Sequence, residues 1–425
     1  MREEYIHFKM RESQKLSHGV NKRRVVVTGL GVVSSVGIGK DEFWKSIING
    51  KSGISKITSF NTKELRCHYA GEIKNFIPED FIDKRKIQFL GRTSQLAIAA
   101  SSLALKDSRL SLRNINKDRI GVFIGTTMGE RPLEESIDAW ITEGVDKIDR
   151  KKILQSPPNN ISANVANYFR LQGPNYLIPT ACAAGNYAIG YGFDLIKKGD
   201  IDYAIAGGAD SFSKLAFSGF HRLYAMAPEK CQPFDKNRKG MLVGEGGGIL
   251  FLESLESALK RKSNIYAEIL GYGISCDAYH MTASHVEGLE KVIRKALKEA
   301  DIQKEDVDYI SAHGTGTSGN DKTECAAIKK VFKGRYKTIP VSSIKSMLGH
   351  TMGAASAIEA LACCLSVQEN IIPPTINFET PDPECDIDCV PNKAKIKKVN
   401  IALNNGFAFG GNNSCLVIKK LHEGQ

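Results

Sequence analysis

Short apolar runs that end in glycine or other small residues recur along the whole chain. A polar or alanine-rich stretch with helical spacing follows most of them. Strands buried on both faces have this pattern, and parallel sheets covered by helices bury their strands in this way. The sequence therefore predicts an α/β fold, with strands or strand-turn units at residues 24–37, 120–128, 174–178, 202–210, 244–253, 265–273 and 307–317.

The second half of the chain repeats the first. It contains in order an opening strand with a glycine turn, a further strand and a small-residue helix, at residues 265–273, 307–317 and 349–359. The repeat places His350 where the first half has Cys182, and two such halves are expected to meet at one site. We expect a flexible basic tail, a first half and a second half, at residues 1–23, 24–262 and 263–421.

The composition is that of a globular protein with an excess of positive charge. Of the 425 residues, 42% are hydrophobic and 25% charged, and no apolar run reaches the ~18 residues needed to cross a bilayer. Of the net charge of +11, residues 1–24 contribute +4, from seven basic and three acidic side chains. Neither a secretory signal nor a nucleic-acid motif is recognisable, so we expect a cytoplasmic protein with reduced cysteines and an acidic protein partner.

One cysteine stands at the turn between a buried strand and a helix of small residues. The neighbours of Cys182 are too small to need a cysteine as filling. The amino end of a helix stabilises a thiolate, so we expect a nucleophile with a lowered pKa. The pattern at other cysteines fits small core residues, namely Cys67, Cys231, Cys276, Cys325, Cys363, Cys364 and Cys415.

Two histidines and one loop stand beside glycines. His313 opens His-Gly-Thr-Gly-Thr, His350 ends Lys-Ser-Met-Leu-Gly-His, and residues 404–413 read Asn-Asn-Gly-Phe-Ala-Phe-Gly-Gly-Asn-Asn. A histidine is more often a satisfied core residue, but adjacent glycines indicate that the backbone closely approaches another group. The loop contains too many glycines for its phenylalanines to be core residues alone, and it is expected to line or gate a cavity.

Other chemistries fit these residues less well. The third glycine of a dinucleotide-binding Gly-x-Gly-x-x-Gly would fall at Ser34, and no ribose-binding acid follows about 20 residues on. A cysteine hydrolase would leave the paired histidines and the loop without a role. A zinc site lacks both Cys-x-x-Cys spacing and a matching second pair, whether built from Cys385 and Cys389 or from His280 and His285.

Six motifs in order resemble those of the elongating β-ketoacyl-acyl-carrier-protein synthases of type II systems, which are thiolase-like condensing enzymes. They are Thr-Ala-Cys-Ala-Ala-Gly at 180–185, Pro-Phe-Asp-x-x-Arg-x-Gly at 233–240, Asp-Ala-Tyr-His-Met-Thr at 277–282, His-Gly-Thr-Gly-Thr with Asp-Lys-Thr-Glu at 313–324, Ser-Ile-Lys-Ser-Met-Leu-Gly-His at 343–350 and Phe-Ala-Phe-Gly-Gly at 407–411. The resemblance covers residues 24–420. It implies a thiolase-like fold, with two related halves in a five-layered α-β-α-β-α sandwich.

The resemblance also implies a decarboxylative Claisen condensation. Cys182 would take an acyl group from an acyl-carrier protein as a thioester. The backbone N–H groups of Cys182 and Phe409 would form the oxyanion hole. His313 and His350 would hold the malonyl thioester carbonyl, so that loss of carbon dioxide leaves an enolate that attacks the acyl thioester.

Further roles follow from the same resemblance. Lys345, paired with Glu324, would orient the histidines, and Phe409 would gate the acyl pocket. The substrate-binding residues would be Thr315, Thr317, Met128, Phe220 and Phe407. A basic segment is either a solvated helix face or a docking patch for the carrier, through Lys84, Arg85, Lys86 and Arg92. No metal or nucleotide is implied, because the only prosthetic group is the phosphopantetheine of the acyl-carrier protein.

This chain departs from the fatty-acid enzymes of that family. Ala408 and Asn412 replace a glycine and a threonine of the gate loop, Ala183 and Ala184 replace a more polar pair, and Tyr224 stands where an arginine often meets the carrier. These changes favour a ketosynthase of a type II polyketide system that pairs with a cysteine-less chain-length partner.

Alternatives remain beside that interpretation. Housekeeping fatty-acid elongation is the main one, and the dimer is either homodimeric or heterodimeric. A thiolase would carry a second catalytic cysteine in a C-terminal Cys-x-Gly loop, and a non-catalytic partner subunit would have lost the nucleophile. Both fit this sequence less well.

Overall fold

The computed structural model describes residues 23–113 and 115–421, so the predicted tail lies outside the described residues except for its last residue. No helix in those ranges is long and apolar enough to cross a membrane. The strands are β1 (Val25–Ser34), β2 (Gly37–Ile38), β3 (Ser55–Lys56), β4 (Tyr69–Ala70), β5 (Ile120–Gly125), β6 (Asn175–Ile178), β7 (Tyr203–Asp210), β8 (Gly246–Ser254), β9 (Ala267–Cys276), β10 (Tyr309–Ser311), β11 (Val341–Ser342), β12 (Ile371–Ile372), β13 (Lys395–Ile396), β14 (Ile401–Phe407) and β15 (Asn412–Lys419). The helices are α1 (Lys40–Ile48), α2 (Lys84–Ile87), α3 (Arg92–Ser108), α4 (Pro132–Glu143), α5 (Arg150–Gln155), α6 (Asn160–Phe169), α7 (Ala184–Lys198), α8 (Lys214–Arg222), α9 (Leu255–Lys260), α10 (Val286–Glu299), α11 (Ser318–Phe332), α12 (Lys345–Leu348) and α13 (Ala355–Glu369).

The main sheet consists of two equivalent sets of strands. The first set has the order β6-β5-β7-β8-β1, and the second has the order β11-β10-β14-β15-β9. In each set the first three strands run parallel, and the last two pair antiparallel. The sets join where Val25–Val27 pair with Ala267–Ile269. The two halves predicted from the sequence are therefore related strand by strand.

Helices cover both outer faces and fill the space between the halves. Helices α3 and α6 cover the first half, and α10 and α11 cover the second. Helices α7 and α13 pack against each other in the middle. Their small residues permit this, because a Cβ on Gly185 would lie 2.6 Å from the backbone nitrogen of Ala357. This arrangement confirms the predicted thiolase-like sandwich.

The sequence repeat is confirmed, but one equivalence drawn from it is wrong. A short 3-10 turn precedes each central helix, at Ala181–Ala183 and at Met352–Ala354. The first residue of each turn is left-handed, with φ of 49° at Ala181 and 51° at Met352. The structural equivalent of Cys182 is therefore Gly353. His350 lies three residues before Gly353, ahead of the second turn rather than within it.

The carboxyl group of Glu130, which precedes α4 in the chain, is buried against the first turn of α3. The Glu130 Oε1 atom accepts hydrogen bonds from the backbone N–H of Ser94 at 2.9 Å and from the Ser94 hydroxyl. Its Oε2 atom has no hydrogen-bond partner among the described residues. Burial raises the pKa of Glu130 to about 7, against which the Ser94 hydrogen bonds act.

This raised pKa predicts a pH dependence of stability. The folded protein holds the Glu130 proton more tightly than the unfolded chain, so its contribution is fully present below pH 4.5 and is lost as the pH rises through about 7. Wild type should lose unfolding free energy as the pH rises through this range. Replacing Glu130 by Gln should make that loss smaller by up to about 3 kcal/mol. Urea unfolding of both proteins between pH 5 and 8 measures it. An exposed control, Glu143→Gln, should leave the wild-type slope unchanged, and equal slopes for Glu130→Gln and wild type would contradict the prediction.

Candidate active site

Cys182, His313 and His350 lie together in one cavity. Cys182 occupies the turn between β6 and α7, His313 follows β10, and His350 precedes the equivalent turn before α13. One sulfur or ring nitrogen atom from each residue lies within 4.8 Å of the others, and all three side chains are buried. The cavity has a volume of about 320 Å³. The structure thus brings together the three side chains to which the sequence assigned the chemistry.

The two imidazoles are neutral hydrogen-bonding groups. Burial, with the charge of Lys345 as a further cause, holds the pKa of both His313 and His350 well below the usual value. The His350 Nδ1 atom accepts the backbone N–H of Met352 at 3.1 Å, so the ring proton is on Nε2. That Nε2–H has no partner among the described residues. A metal ion at this nitrogen would require loss of the proton, so the site is better suited to hold a carbonyl oxygen than a metal ion.

The expectation that Cys182 has a lowered pKa is wrong for the resting site. Burial raises the pKa of the Cys182 thiol to about 12; the charge of Lys345 acts in the opposite direction, and Asp210 raises the pKa further. The reason is that the turn is enclosed by both halves, and loss of hydration outweighs the favourable helix end. The thiol is therefore protonated near neutral pH and must lose its proton during acyl transfer.

Lys345 pairs with Glu359, so the predicted pair with Glu324 is wrong. The Nζ atom of Lys345 bonds the Glu359 carboxylate, and both side chains are almost fully buried. Burial raises the pKa of Glu359 to about 7, with Lys345 opposing the rise. Glu324 instead accepts the backbone N–H groups of His313 at 2.9 Å and Gly314 at 2.8 Å. Lys345 therefore supplies positive charge behind the site, whereas Glu324 positions the loop that carries His313.

The predicted gate lies at the mouth of the cavity. Phe409 is 38% exposed, and its ring centre lies 5.7 Å from that of Phe220 on α8. Ala408 is extended, with φ −136° and ψ 155°, which a Cβ allows. Gly410 and Gly411 are left-handed, at φ 77° and 74°. The conformational freedom of the loop thus lies at the two glycines, and the alanine at 408 imposes no strain on this conformation.

Most of the predicted substrate-binding residues line the cavity. Phe220, Phe407, Thr315 and Thr317 do so, and the two threonine hydroxyls are 2.8 Å apart. Met128 is not among the residues that line it. Its backbone N–H donates to Asp210 at 3.0 Å instead.

The predicted docking residues divide into two groups. Lys84, Arg85 and Lys86 are exposed on α2. Arg92 differs, because its guanidinium forms a bidentate pair with the buried Glu245 and only 27% of its side chain is exposed. Arg92 therefore stabilises the fold rather than presenting a free charge. Its prediction as a carrier-docking residue is wrong.

Sequence reasoning missed three side chains around the site. The buried Asp210 accepts the backbone N–H of Thr127 at 2.7 Å and of Gly353 at 2.6 Å, and so joins the two halves beside Cys182. Glu359 forms the ion pair with Lys345. Cys231, interpreted as a core residue, donates its thiol to the Thr315 carbonyl at 3.2 Å. A carboxylate that ends an apolar strand, as Asp210 ends β7, is the signal that could have revealed the first of them.

Comparisons with known proteins agree with this geometry. The chain matches the β-ketoacyl synthase N-terminal domain over residues 22–258 and the C-terminal domain over residues 266–379. It is 40% identical to 3-oxoacyl-[acyl-carrier-protein] synthase 2 of Synechocystis over 94% of this chain and 99% of that protein. Two solved structures are similar. The ishigamide ketosynthase/chain length factor has a TM-score of 0.92 and 42% identity, and covers 94% of this chain and 100% of its own. A type II polyketide ketosynthase bound to its acyl-carrier protein has a TM-score of 0.87 and 35% identity, with the same coverage.

These matches span nearly the whole chain. The protein belongs to the β-ketoacyl synthase family. It is an acyl-transferring condensing enzyme, as the sequence motifs indicated.

The buried ion pair gives a test of the corrected partner of Lys345. Replacing Glu359 by Leu leaves the Lys345 ammonium buried without its partner and should cost about 3–5 kcal/mol of unfolding free energy. Adding Lys345→Met should recover most of that loss. Urea unfolding of the two single variants and the double variant forms a double-mutant cycle. Additive losses would show that the two side chains do not interact.

The hydrogen bond from the Cys231 thiol to the Thr315 carbonyl can be tested by substitution. Cys231→Ser keeps a donor for the Thr315 carbonyl, whereas Cys231→Ala removes it, at a cost of about 1 kcal/mol of positioning energy. We expect KM for carrier-bound malonyl to rise roughly fivefold in Cys231→Ala and to stay near wild type in Cys231→Ser. Steady-state kinetics with fixed acyl donor measure this difference. Indistinguishable KM values for the two variants would contradict it.

Proposed function

We propose that this chain is the ketosynthase that extends a carrier-bound acyl chain by decarboxylative condensation with malonyl-acyl-carrier protein. The observation that carries the proposal is one cavity holding a thiol, two neutral imidazoles and, behind them, a buried lysine. This set of groups can form a thioester and stabilise an enolate without a bound metal. The family to which the chain belongs performs acyl transfer, which supports the same reaction.

In the first step the Cys182 sulfur attacks the acyl thioester carbonyl. The new carbon–sulfur bond forms as the bond to the carrier's thiol breaks, and the proton of Cys182 leaves with the released carrier thiol. The backbone N–H groups of Cys182 and Phe409 would stabilise the oxyanion, each contributing roughly 3 kcal/mol to the transition state. Lys345 favours the thiolate that must form transiently, because its charge lowers the pKa of Cys182 against the effect of burial.

In the second step the malonyl thioester oxygen would accept hydrogen bonds from the imidazole N–H groups of His313 and His350. The carbon–carbon bond to the carboxylate breaks, carbon dioxide leaves, and the electron pair remains as an enolate. The enolate carbon attacks the acyl carbonyl on Cys182, and the thiolate is released and reprotonated. Neutral rings suit this task, since an enolate oxygen needs donors but not a proton.

The substrates would arrive on an acidic carrier protein. Thr315 and Thr317 would bind its pantetheine arm, and Lys84, Arg85 and Lys86 would meet its acidic surface. The chain itself would need no cofactor, because the prosthetic group belongs to the carrier. We place the reaction in the cytoplasm, as the sequence led us to expect.

The pathway we favour is type II polyketide synthesis with a chain-length subunit. One solved relative pairs a ketosynthase with a chain length factor and is 42% identical to this chain. Here the edge strand β6 and the helix α4 each carry exposed apolar residues, with Tyr176 53%, Trp140 58% and Ile141 76% exposed. Exposed apolar residues of this kind suit contact with a second subunit. Housekeeping fatty-acid elongation is the second candidate, favoured by the name of the Synechocystis relative.

The test is intact-mass detection of acyl transfer to Cys182. The isolated protein is offered carrier-bound acyl groups from acetyl to long-chain, with and without a chain-length subunit, and Cys182→Ala is the control that should gain no mass. We expect loading of acetyl and polyketide chains, completed by the second subunit. Broad loading and elongation of saturated chains by a stable homodimer would assign the enzyme to fatty-acid synthesis, and no loading from any donor would refute the condensing function.

A further inference from the structure

A carboxylate of α4 caps the first turn of α8. The Glu134 Oε1 atom accepts the hydroxyl of the buried Ser213, and its Oε2 atom accepts the backbone N–H of Leu215 at 3.4 Å. Ser213 is the N-cap residue of α8, and its Oγ atom accepts the backbone N–H of Ala216 at 2.9 Å. The amino end of a helix carries unpaired N–H groups and a partial positive charge, so a carboxylate there stabilises it. Glu134 therefore joins α4 to the start of α8.

The other end of α8 belongs to the active site. Phe220 lines the cavity, and its ring centre lies 5.7 Å from that of the predicted gate residue, Phe409. Leu223, directly after the helix, lines the cavity as well. Between the two ends, the fully buried ring of Phe217 packs edge-on against the ring of Phe60. The nine residues of α8 span only about 14 Å, so a displacement of the first turn is carried to the last.

We propose that Glu134 is a positioning residue for acyl transfer, and this inference rests on the proposed function. Glu134 is not among the residues that line the cavity, so it acts through α8. By capping the first turn it holds Phe220 against the gate. The gate supplies the backbone N–H of Phe409, one of the two oxyanion donors in the proposed reaction. Loss of Glu134 should therefore slow acyl transfer without changing how much carrier is needed to saturate the enzyme.

Two other carboxylates of α4 provide the contrast. Glu135 pairs with Arg131 at 3.2 Å and with a lysine of α5 at 2.6 Å, so its contacts lie away from α8. Asp138 reaches α8 through Lys214 at 3.2 Å, but both side chains are more than half exposed, and such a pair contributes little. Of these three carboxylates, Glu134 is the one bonded to a buried group of α8. Glu135 is therefore a matched control on the same helix.

The experiment measures the rate of acyl transfer to Cys182 in wild type, Glu134→Ala, Glu134→Gln and Glu135→Ala. Rapid quenching and intact-mass detection over a range of acyl-carrier concentrations give the maximal rate and the half-saturating concentration. We expect the maximal rate to fall about fivefold in Glu134→Ala, with the half-saturating concentration unchanged. Glu134→Gln keeps an oxygen that accepts the Ser213 hydroxyl and should recover most of the rate. Glu135→Ala should load at the wild-type rate.

A second substitution tests the route through α8. Phe220→Leu removes the ring that contacts the gate and keeps an apolar side chain. In that background Glu134→Ala should cause little further loss of rate, because the contact through which it acts is already gone. Glu134 bonds the first turn of α8 and Phe220 lies in the last, so such non-additivity indicates transmission through the helix.

The thermal unfolding of each variant separates positioning from stability. Glu134→Ala and Glu135→Ala should melt at similar temperatures, since each loses one partly exposed carboxylate. The inference would be overturned by a wild-type rate in Glu134→Ala, by equal slowing in Glu135→Ala, or by additive losses with Phe220→Leu, and each result would leave the condensing function intact. Failure of wild type to load from any donor would instead refute the proposed function itself.

Discussion

The close packing of two small-residue helices is the constraint on which the site depends. Helices α7 and α13 meet at a distance that leaves no room for a Cβ on Gly185, since it would lie 2.6 Å from the backbone of Ala357. The turns that begin these helices carry Cys182 in one half and follow His350 in the other. A bulkier residue at the crossing would push the halves apart and separate the thiol from the imidazoles. Helix packing therefore sets the distance between the reacting groups.

Burial in that packed centre determines the chemistry of the groups. Removal of water keeps the thiol protonated and the imidazoles neutral. One buried lysine, balanced by Glu359, provides a fixed positive charge that favours each anion formed during the reaction. Because the charged partners are held in place before substrate arrives, little reorganisation is needed when the enolate forms. The site is organised to stabilise transient anions rather than a permanent thiolate.

The sequence predicted the fold and the central triad because both leave local signals. Glycines mark the close approach of backbones, and apolar runs mark the buried strands, so Cys182, His313 and His350 could be placed at strand ends and helix starts that meet at one site. The partner of Lys345 could not be predicted, because Glu324 and Glu359 are both on helices near the site and their orientation is a tertiary property. The exposure of Arg92 likewise depends on Glu245, which lies far along the chain. The raised pKa of Cys182 could not be predicted, because the local sequence shows that the thiol lies at a helix end but not how completely it is buried.

The link between the halves at Asp210 has a consequence for the order of events in catalysis. Its carboxylate holds Thr127 of one half and Gly353 of the other, and Asn186 and Asn404 exchange hydrogen bonds across the same boundary. Separating the halves to admit a chain would break these buried bonds together. Entry through the opening beside the gate loop would leave these bonds intact, and one pantetheine arm would then withdraw before the next enters. An architecture of this kind favours alternating kinetics, in which the spent carrier dissociates before the malonyl carrier binds.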